Sequence, residues 1–367
     1  MHRSHFTRAI RALFVVGLLA SAFAALVGSA GARGWDGQVY TITNEASGNR
    51  IAIFNRAANG DLAFDSYVNS GGNGTGSKLG SQGAVILSDN GRWLFAVNAG
   101  SDSISSFRVT PRGLDLADTI DAAGTTPVSL TVHDNLLYVL NEGGSPNISG
   151  FSVGPRGNLF HIPGSTQPAT SATSVQIGFS PDGHVLIVAG KASNTLDSYV
   201  VSRSGSAGPP QTFASNAAVP YGFGFDNRGH LLVSEASGFV TPYSVSRDGT
   251  ISAITAAAPT YQNAACWVVI TKNGRYVYTT NAGSSSITGF SIAHNGALTI
   301  LNSDGVTAST GAGTSPIDMA LSNNSHFLYV NNGDGTIGAF RVHSNGSLSS
   351  VTVISGLPAS TTGLASN

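Results

Sequence analysis

Cys266-Trp267-Val268-Val269-Ile270-Thr271, then Lys272-Asn273-Gly274, then Arg275-Tyr276-Val277-Tyr278-Thr279-Thr280-Asn281: the reading of this stretch decides the fold. Two apolar runs of strand length, rich in β-branched and aromatic residues, flank an Asn-Gly turn. Asn-Gly closes tight hairpins because both residues tolerate positive φ. The runs alternate little between apolar and polar, which suits strands buried on both faces. Working outward, residues 282–286 read as a loop and residues 287–292 as a third strand. After the Asn295-Gly296 turn, residues 298–301 make a short fourth strand. Residues 93–97 and 137–140 have the same character as the central run, and turns recur at Asn59-Gly60, Asn90-Gly91 and Asp182-Gly183.

The unit is repeated. An aromatic residue followed six positions later by Gly occurs as Phe54/Gly60, Phe107/Gly113, Phe151/Gly157, Tyr199/Gly205, Tyr243/Gly249, Phe290/Gly296 and Phe340/Gly346. That is seven copies, spaced on average by about 48 residues, which accounts for the chain from residue 33 to 367. A four-stranded antiparallel unit cannot bury both its faces alone, so copies stack around an axis until the ring closes. The expectation is an all-β fold, a seven-bladed β-propeller, in a single domain over residues 33–367. A parallel β-solenoid is the competing fold, but its coils are shorter, roughly 20–30 residues, and have no obligatory hairpin turns. The tail Thr361-Thr362-Gly363-Leu364-Ala365 resembles the inner-strand entries at residues 314–319 and 81–85, whereas the chain from Val39 begins as a second strand. The C-terminal strand is therefore expected to close the ring as the inner strand of the first blade.

Composition excludes several classes of function. Charged residues are only 10% of the 367, and Lys+Arg 18 against Asp+Glu 19 leaves no basic patch with which to displace counterions from nucleic acid. One Cys can form neither an internal disulfide nor a Cys-rich zinc site. His184, His230 and His326 occupy the turn slot held elsewhere by Arg92 and Arg275, so they read as turn flanks and not as metal ligands. Neither a metal nor a cofactor is expected. There is no G-x-S-x-G elbow, phosphate loop or EF-hand. The Gly-rich residues 71–76 read as a mobile inter-blade loop.

Residues 1–32 read as a secretory signal peptide, with Arg3, Arg8 and Arg11 in front, an apolar run over residues 13–27, and Ala30-Gly31-Ala32 at the cleavage point. Fifteen residues at ~1.5 Å each span roughly 22 Å, less than the ~30 Å hydrocarbon core. The expected product is a secreted monomer, extracellular or periplasmic, with no membrane attachment after processing.

In a propeller, the starts of inner strands and the loops after second strands share one face around the central channel, where ligands bind in a concave mouth. The repeat places Asn98, Asn141, Glu142, Lys191, Glu235, Asn281 and Asn331 at second-strand ends, and Gln82, Gln176, Tyr221, Cys266, Trp267 and Asp318 at inner-strand entries. Recurrence of Asn at one blade position favours a structural role, satisfying loose backbone groups. Glu235 and Glu142 stand apart, since a carboxylate there can act as general base toward a lactone carbonyl, with Lys191, Tyr221 and the Asn amides as donors to the oxyanion. In a second reading Tyr221, Trp267, Lys191, Gln176, Asn98, Asn281, Asn331 and Asp318 form a nearly uncharged platform that binds a small polar molecule, or an extracellular protein, without turnover. Cys266 reads as a packing residue, because the repeat puts no His beside it.

The run over residues 265–283 resembles the secreted seven-bladed β-propeller lactonase-like proteins, of the phosphogluconolactonase type and similar to the carboxymuconate-cyclising propellers. So do Tyr221-Gly222-Phe223-Gly224-Phe225-Asp226 and Gly229-His230-Leu231-Leu232-Val233-Ser234-Glu235-Ala236, together with Phe179-Ser180-Pro181-Asp182-Gly183. The resemblance covers all seven units. It implies metal-independent opening or closing of a lactone or sugar-acid ring, and it places a catalytic Glu at Glu235. Tyr221-Gly222 stands where the family carries Arg-His, and residues 172–176 lack the family's further His.

Overall fold

The second strands are largely buried because neighbouring sheets pack on both their faces. Trp93–Asn98, Val185–Gly190, Tyr276–Asn281 and Phe327–Asn332 are buried at every residue. The computed structural model describes residues 34–367, and the expected signal segment, residues 1–32, lies outside them. Among the described residues every regular element is a strand, and no helix is long and apolar enough to cross a membrane. The strands form seven antiparallel sheets, the blades of a propeller. The second blade, from the axis outward, is Val85–Leu87, Trp93–Asn98, Ser103–Thr110 and Gly113–Asp121.

In the sixth blade the strands are Ala265–Ile270, Tyr276–Asn281, Ser286–Ile292 and Leu298–Ile300, within a residue of the boundaries read from sequence. Ala308–Ser309 also pairs with Ser286–Ile292, so the fourth strand continues after a bulged loop. A two-residue strand is too short to carry a periodic pattern, and the sequence gives no sign of it.

The ring closes as the sequence pattern predicts. Thr362–Ser366 pairs antiparallel with Trp35–Ile42, with Val39 opposite Ser366, Tyr40 opposite Ala365 and Ile42 opposite Thr362. Side chains reinforce the seam: Thr41 Oγ1 donates to the Gly363 carbonyl at 2.6 Å, and Ser360 Oγ donates to the Thr43 carbonyl at 2.7 Å.

The aromatic-plus-six glycine marks the joint between blades. All seven glycines have positive φ, from 84° to 120°, in the turn between third and fourth strands. Positive φ favours glycine, but packing demands it as well. A side chain at Gly60, Gly157 or Gly346 would overlap the ring of Phe327, Trp93 or Tyr276 in the preceding blade. At five of the seven joints the glycine carbonyl accepts a hydrogen bond from that blade. The donors are Tyr138 OH to Gly205 (2.7 Å), Tyr278 OH to Gly346 (2.8 Å), Tyr329 OH to Gly60 (3.3 Å), Ser106 Oγ to Gly157 (2.7 Å) and Ser198 Oγ to Gly249 (2.6 Å).

Truncation after Pro358 removes the closing strand and uncovers Val39, Tyr40 and Ile42, which are fully buried in the ring. The midpoint of thermal unfolding should fall by about 10 °C or more, or the transition should lose its cooperativity. A truncated protein that melts like the full chain would remove the seam from the account of stability.

Candidate functional site

Inner strands begin, and second strands end, on one face of the ring. The registers of Ser174 with Gly190, Pro220 with Glu235 and Ala265 with Asn281 show it. On this face, strand geometry gathers five side chains from four consecutive blades. Glu142 is in the second strand Leu136–Gly143 of the third blade, and Lys191 follows Val185–Gly190 of the fourth. Tyr221 enters the inner strand Pro220–Phe225 of the fifth, and Cys266 and Trp267 enter Ala265–Ile270 of the sixth.

The Tyr221 and Trp267 rings meet edge to face at 4.8 Å between centroids, and the Lys191 ammonium lies 5.2 Å from the Tyr221 centroid. Burial raises the pKa of the half-buried Glu142 carboxyl, and the nearby Lys191 charge holds the rise in check. Burial also keeps the Tyr221 hydroxyl firmly protonated, reinforced by Cys266 and Glu142. A carboxyl, an ammonium and a neutral phenol therefore lie close together on this face, the phenol packed on the buried Trp267 ring. The Cys266 thiol is pushed up to about 12 by burial and donates to the Ala264 carbonyl at 3.1 Å, so it is a packing group and not a nucleophile.

The remaining predicted site residues lie elsewhere. Glu235 is fully buried within the fifth blade, where Oε1 accepts from Ser215 Oγ at 3.2 Å and from Tyr243 OH at 3.4 Å, and Oε2 has no partner. Asn98 and Asn281 are buried and spend their amides on Ser105 Oγ (2.8 Å) and Thr288 Oγ1 (2.9 Å) of the third strands. This is the structural role that recurrence suggests. The residue aligned with Asn281 in the seventh blade is Asn332, opposite Pro316, and Asn331 faces the other way toward the first blade. Gln176 uses its amide on the Phe223 backbone, at 2.9 Å from Nε2 and 2.7 Å to Oε1. Asp318 and Gln176 line the interior of the channel.

One element has no signal in the sequence. Residues 78–82, leading into the second blade, lean across the axis. Lys78 Nζ donates to the Gly333 carbonyl of the seventh blade, and Gly80 lies against the Tyr221 hydroxyl of the fifth. Ser81 Oγ donates to the Val128 carbonyl of the third blade at 2.7 Å, and the Gln82 amide N–H donates to the Val175 carbonyl of the fourth at 3.1 Å. The Gln82 side chain then spans to the sixth, donating to the Val268 carbonyl at 2.9 Å and accepting its N–H at 3.2 Å. The preceding Gly-rich stretch, expected to be mobile, is pinned instead. Gly74 N–H donates to the Glu45 carbonyl (2.9 Å), Gly76 N–H to Asn44 (2.8 Å), and Gly100 N–H to Asn73 (3.0 Å). Its glycines permit close approach, since a side chain at Gly74 would strike the Asn44 backbone.

The family model described as lactonase, seven-bladed β-propeller, matches residues 32–176 and 244–361. Lys191, Tyr221 and Glu235 fall in the unmatched interval between these segments. Among solved structures, a protein from Lactobacillus plantarum superposes with a TM-score of 0.73 at 17% identity, over 90% of this chain and 99% of that one. The periplasmic gluconolactonase of Pseudomonas aeruginosa superposes at 0.70 and 17%, over 89% and 98%. A candidate 6-phosphogluconolactonase from Bacteroides fragilis superposes at 0.68 and 19%, over 90% and 98%. At these identities the likeness is one of fold. No curated protein matches the chain.

Burial pushes the Glu235 carboxyl from 4.5 to about 7. The folded chain thus holds a proton that the unfolded chain releases, so this contribution to stability is greatest at low pH and is lost as pH rises from about 4.5 to about 7. Glu235→Gln should remove a loss on the order of 2 kcal/mol between pH 5 and pH 8. Urea midpoints of the two proteins at both pH values measure it, and parallel profiles would show that the carboxyl ionises freely.

Proposed function

The chain belongs to the seven-bladed β-propeller lactonase family, and on that premise we propose that it opens the lactone ring of a sugar-acid-type molecule at the mouth formed by Glu142, Lys191, Tyr221 and Trp267. The observation that carries this reading is the meeting of a carboxylate and an ammonium at the ends of two second strands with a buried phenol at the entry of the next inner strand. The half-buried Tyr221 ring, backed by the buried Trp267, offers an apolar surface for a sugar-acid ring, with Lys191 beside it as a positive charge for a polar or anionic substituent. Glu142 takes a proton from water as the oxygen bonds to the lactone carbonyl carbon. Lys191 and the Tyr221 hydroxyl donate to the developing oxyanion. Collapse of that intermediate breaks the ring C–O bond, and Glu142 returns its proton to the departing alkoxide, leaving a hydroxy acid and an unchanged enzyme.

The resemblance to known lactonases puts the base at Glu235. Its complete burial, with partners only from its own surroundings, favours Glu142 instead. The alternative of a non-catalytic binding platform draws on the same aromatic pair and predicts saturable binding without turnover.

Against a panel of sugar-acid lactones, Glu142→Gln should lower kcat by about 100- to 10,000-fold, whereas Glu235→Gln should keep kcat within a few-fold. Glu142 must be ionised to act, so activity should fall as pH drops through its raised pKa, and this acidic limb should vanish in the Gln variant. Turnover unaffected by Glu142→Gln, or binding with no turnover anywhere on the panel, would overturn the assignment. We propose further that residues 1–32 direct export. N-terminal sequencing of protein from the culture medium or periplasm should begin near Arg33, and an intact Met1 there would refute it.

A further inference from the structure

Beyond the Gln82 crossing a cavity of about 830 Å³ runs to the face where the inner strands end. Asp318 stands at its inner end, but the residue is only 1% exposed. Its Oδ1 accepts the Met319 N–H at 2.7 Å, and the backbone amides of Gly83 and Leu364 also approach the carboxyl. Leu364 belongs to the closing strand Thr362–Ser366, and Gly83 leads into Val85–Leu87. The carboxyl therefore lies where the seventh, first and second blades meet. Its Oδ2 is buried and has no hydrogen-bond partner. Asn331 is the cross-strand partner of Asp318. Such partners carry their side chains on one face, with Cβ atoms about 4.5–5.5 Å apart. The Asn331 Nδ2 group is directed to Thr41 Oγ1 and the Gly363 carbonyl of the first blade, each at 3.4 Å. Asn331 Oδ1 is buried and has no donor.

Two neighbouring oxygens thus lie out of reach of water without a hydrogen between them. A carboxylate can only accept, whereas a carboxylic acid donates one O–H. A proton on Asp318 Oδ2, directed at Asn331 Oδ1, satisfies both atoms at once. The strands packed around Asp318 offer no charge that would hold it ionised. Val85–Leu87 and Thr362–Ser366 carry no titratable group, and Ala265–Ile270 carries only Cys266, whose thiol is spent on the Ala264 carbonyl. Tyr276, Tyr278 and Tyr329 of the adjoining second strands donate to the Ser344, Gly346 and Gly60 carbonyls, and Tyr40 of Trp35–Ile42 donates to Gln38 Oε1. Asp36 is at the far end of that strand, and Asp89 and Lys272 are exposed at the other end of the cavity. Among the described residues no ion pair reaches Asp318.

We propose that Asp318 keeps its proton and donates it to Asn331 Oδ1, and that this bond is a pH-sensitive latch on the seam that closes the ring. Burial acts in the same direction, raising the carboxyl well above its ordinary range. When the closing strand lifts away, water reaches Asp318, the acid ionises and its proton passes to solvent. The closed seam therefore holds one proton more than the open one. The latch is at full strength below the ordinary carboxylate pKa of 3.8, and it weakens as pH rises from there toward the raised value. Between those limits, one proton released per opening makes the open state about tenfold more populated for each pH unit. The latch shares no residue with the mouth, and it stands or falls independently of the lactone reading.

Amide hydrogen exchange at residues 362–366 tests the proposal, in a Glu235→Gln background so that the other strongly buried acid does not contribute. Protection factors there should fall about tenfold per unit between pH 5 and pH 7. In Asp318→Asn the side-chain amide donates to Asn331 Oδ1 in place of the acid, so protection should stay level across the same range. Infrared spectra of the Glu235→Gln protein need no change at position 318. At pH 7 they should contain the C=O stretch of a protonated acid, and carbon-13 carboxyl aspartate should shift it. The proposal fails if the labelled aspartates show only carboxylate bands, which would mean that Asp318 is ionised. It also fails if protection at residues 362–366 is level with pH in the parent background, or if a folded Asp318→Asn variant keeps the slope.

Discussion

A glycine carbonyl at the turn between third and fourth strands accepts a hydrogen bond from the blade before it, and the ring depends on this joint. Each bond is worth only about 1 kcal/mol. Its larger effect is positional. The turn can approach the neighbouring aromatic ring only because the residue is glycine, and that approach sets how one sheet lies on the next. With the sheets so placed, the second strands are dry on both faces and the core becomes continuous around the axis. No blade could keep its apolar strands from water without its neighbours, so the last blade has to meet the first. Val39, Tyr40 and Ile42 are buried because the C-terminal strand lies beside them.

A second constraint acts along the axis. The sevenfold repeat would leave an open channel, but residues 78–82 break the symmetry and tie the second blade to the third, fourth, fifth, sixth and seventh. The Gln82 amide satisfies both backbone groups of Val268, groups that an inner strand facing a channel would otherwise leave to water. The same tie holds the strand that delivers Cys266 and Trp267 to the mouth. It also separates the face that carries Glu142, Lys191 and Tyr221 from the cavity that opens on the other.

The two glutamates show how position within a blade controls chemistry. Glu235 ends its second strand in the slot that Asn281 fills in the next blade, turned into the sheet, where Ser215 and Tyr243 cover it. Glu142 lies one residue beyond Asn141, the residue of its own blade that is buried and paired with Asn147. Since strand side chains alternate in direction, that single step turns Glu142 out of the slot and into reach of Lys191 and Tyr221. Both acids could be singled out in the sequence as departures from a recurring Asn. Which of them reaches the mouth could not, because it depends on a register difference of one residue.

The sequence alone determined the blade, its number of copies, the strand boundaries of the sixth unit to within a residue, and the seam between Thr362–Ser366 and Trp35–Ile42. All of these follow from local patterns of apolar runs, turn residues and spacing. Only the tertiary structure decided that Gln176 and Asp318 lie inside the channel, that the Gly-rich stretch is pinned, and that residues 78–82 cross the axis. Those outcomes rest on contacts between residues as far apart as Gln82 and Val268, in different blades. A periodic sequence describes each unit and its nearest neighbour, and it carries no signal for what meets across the centre of the ring.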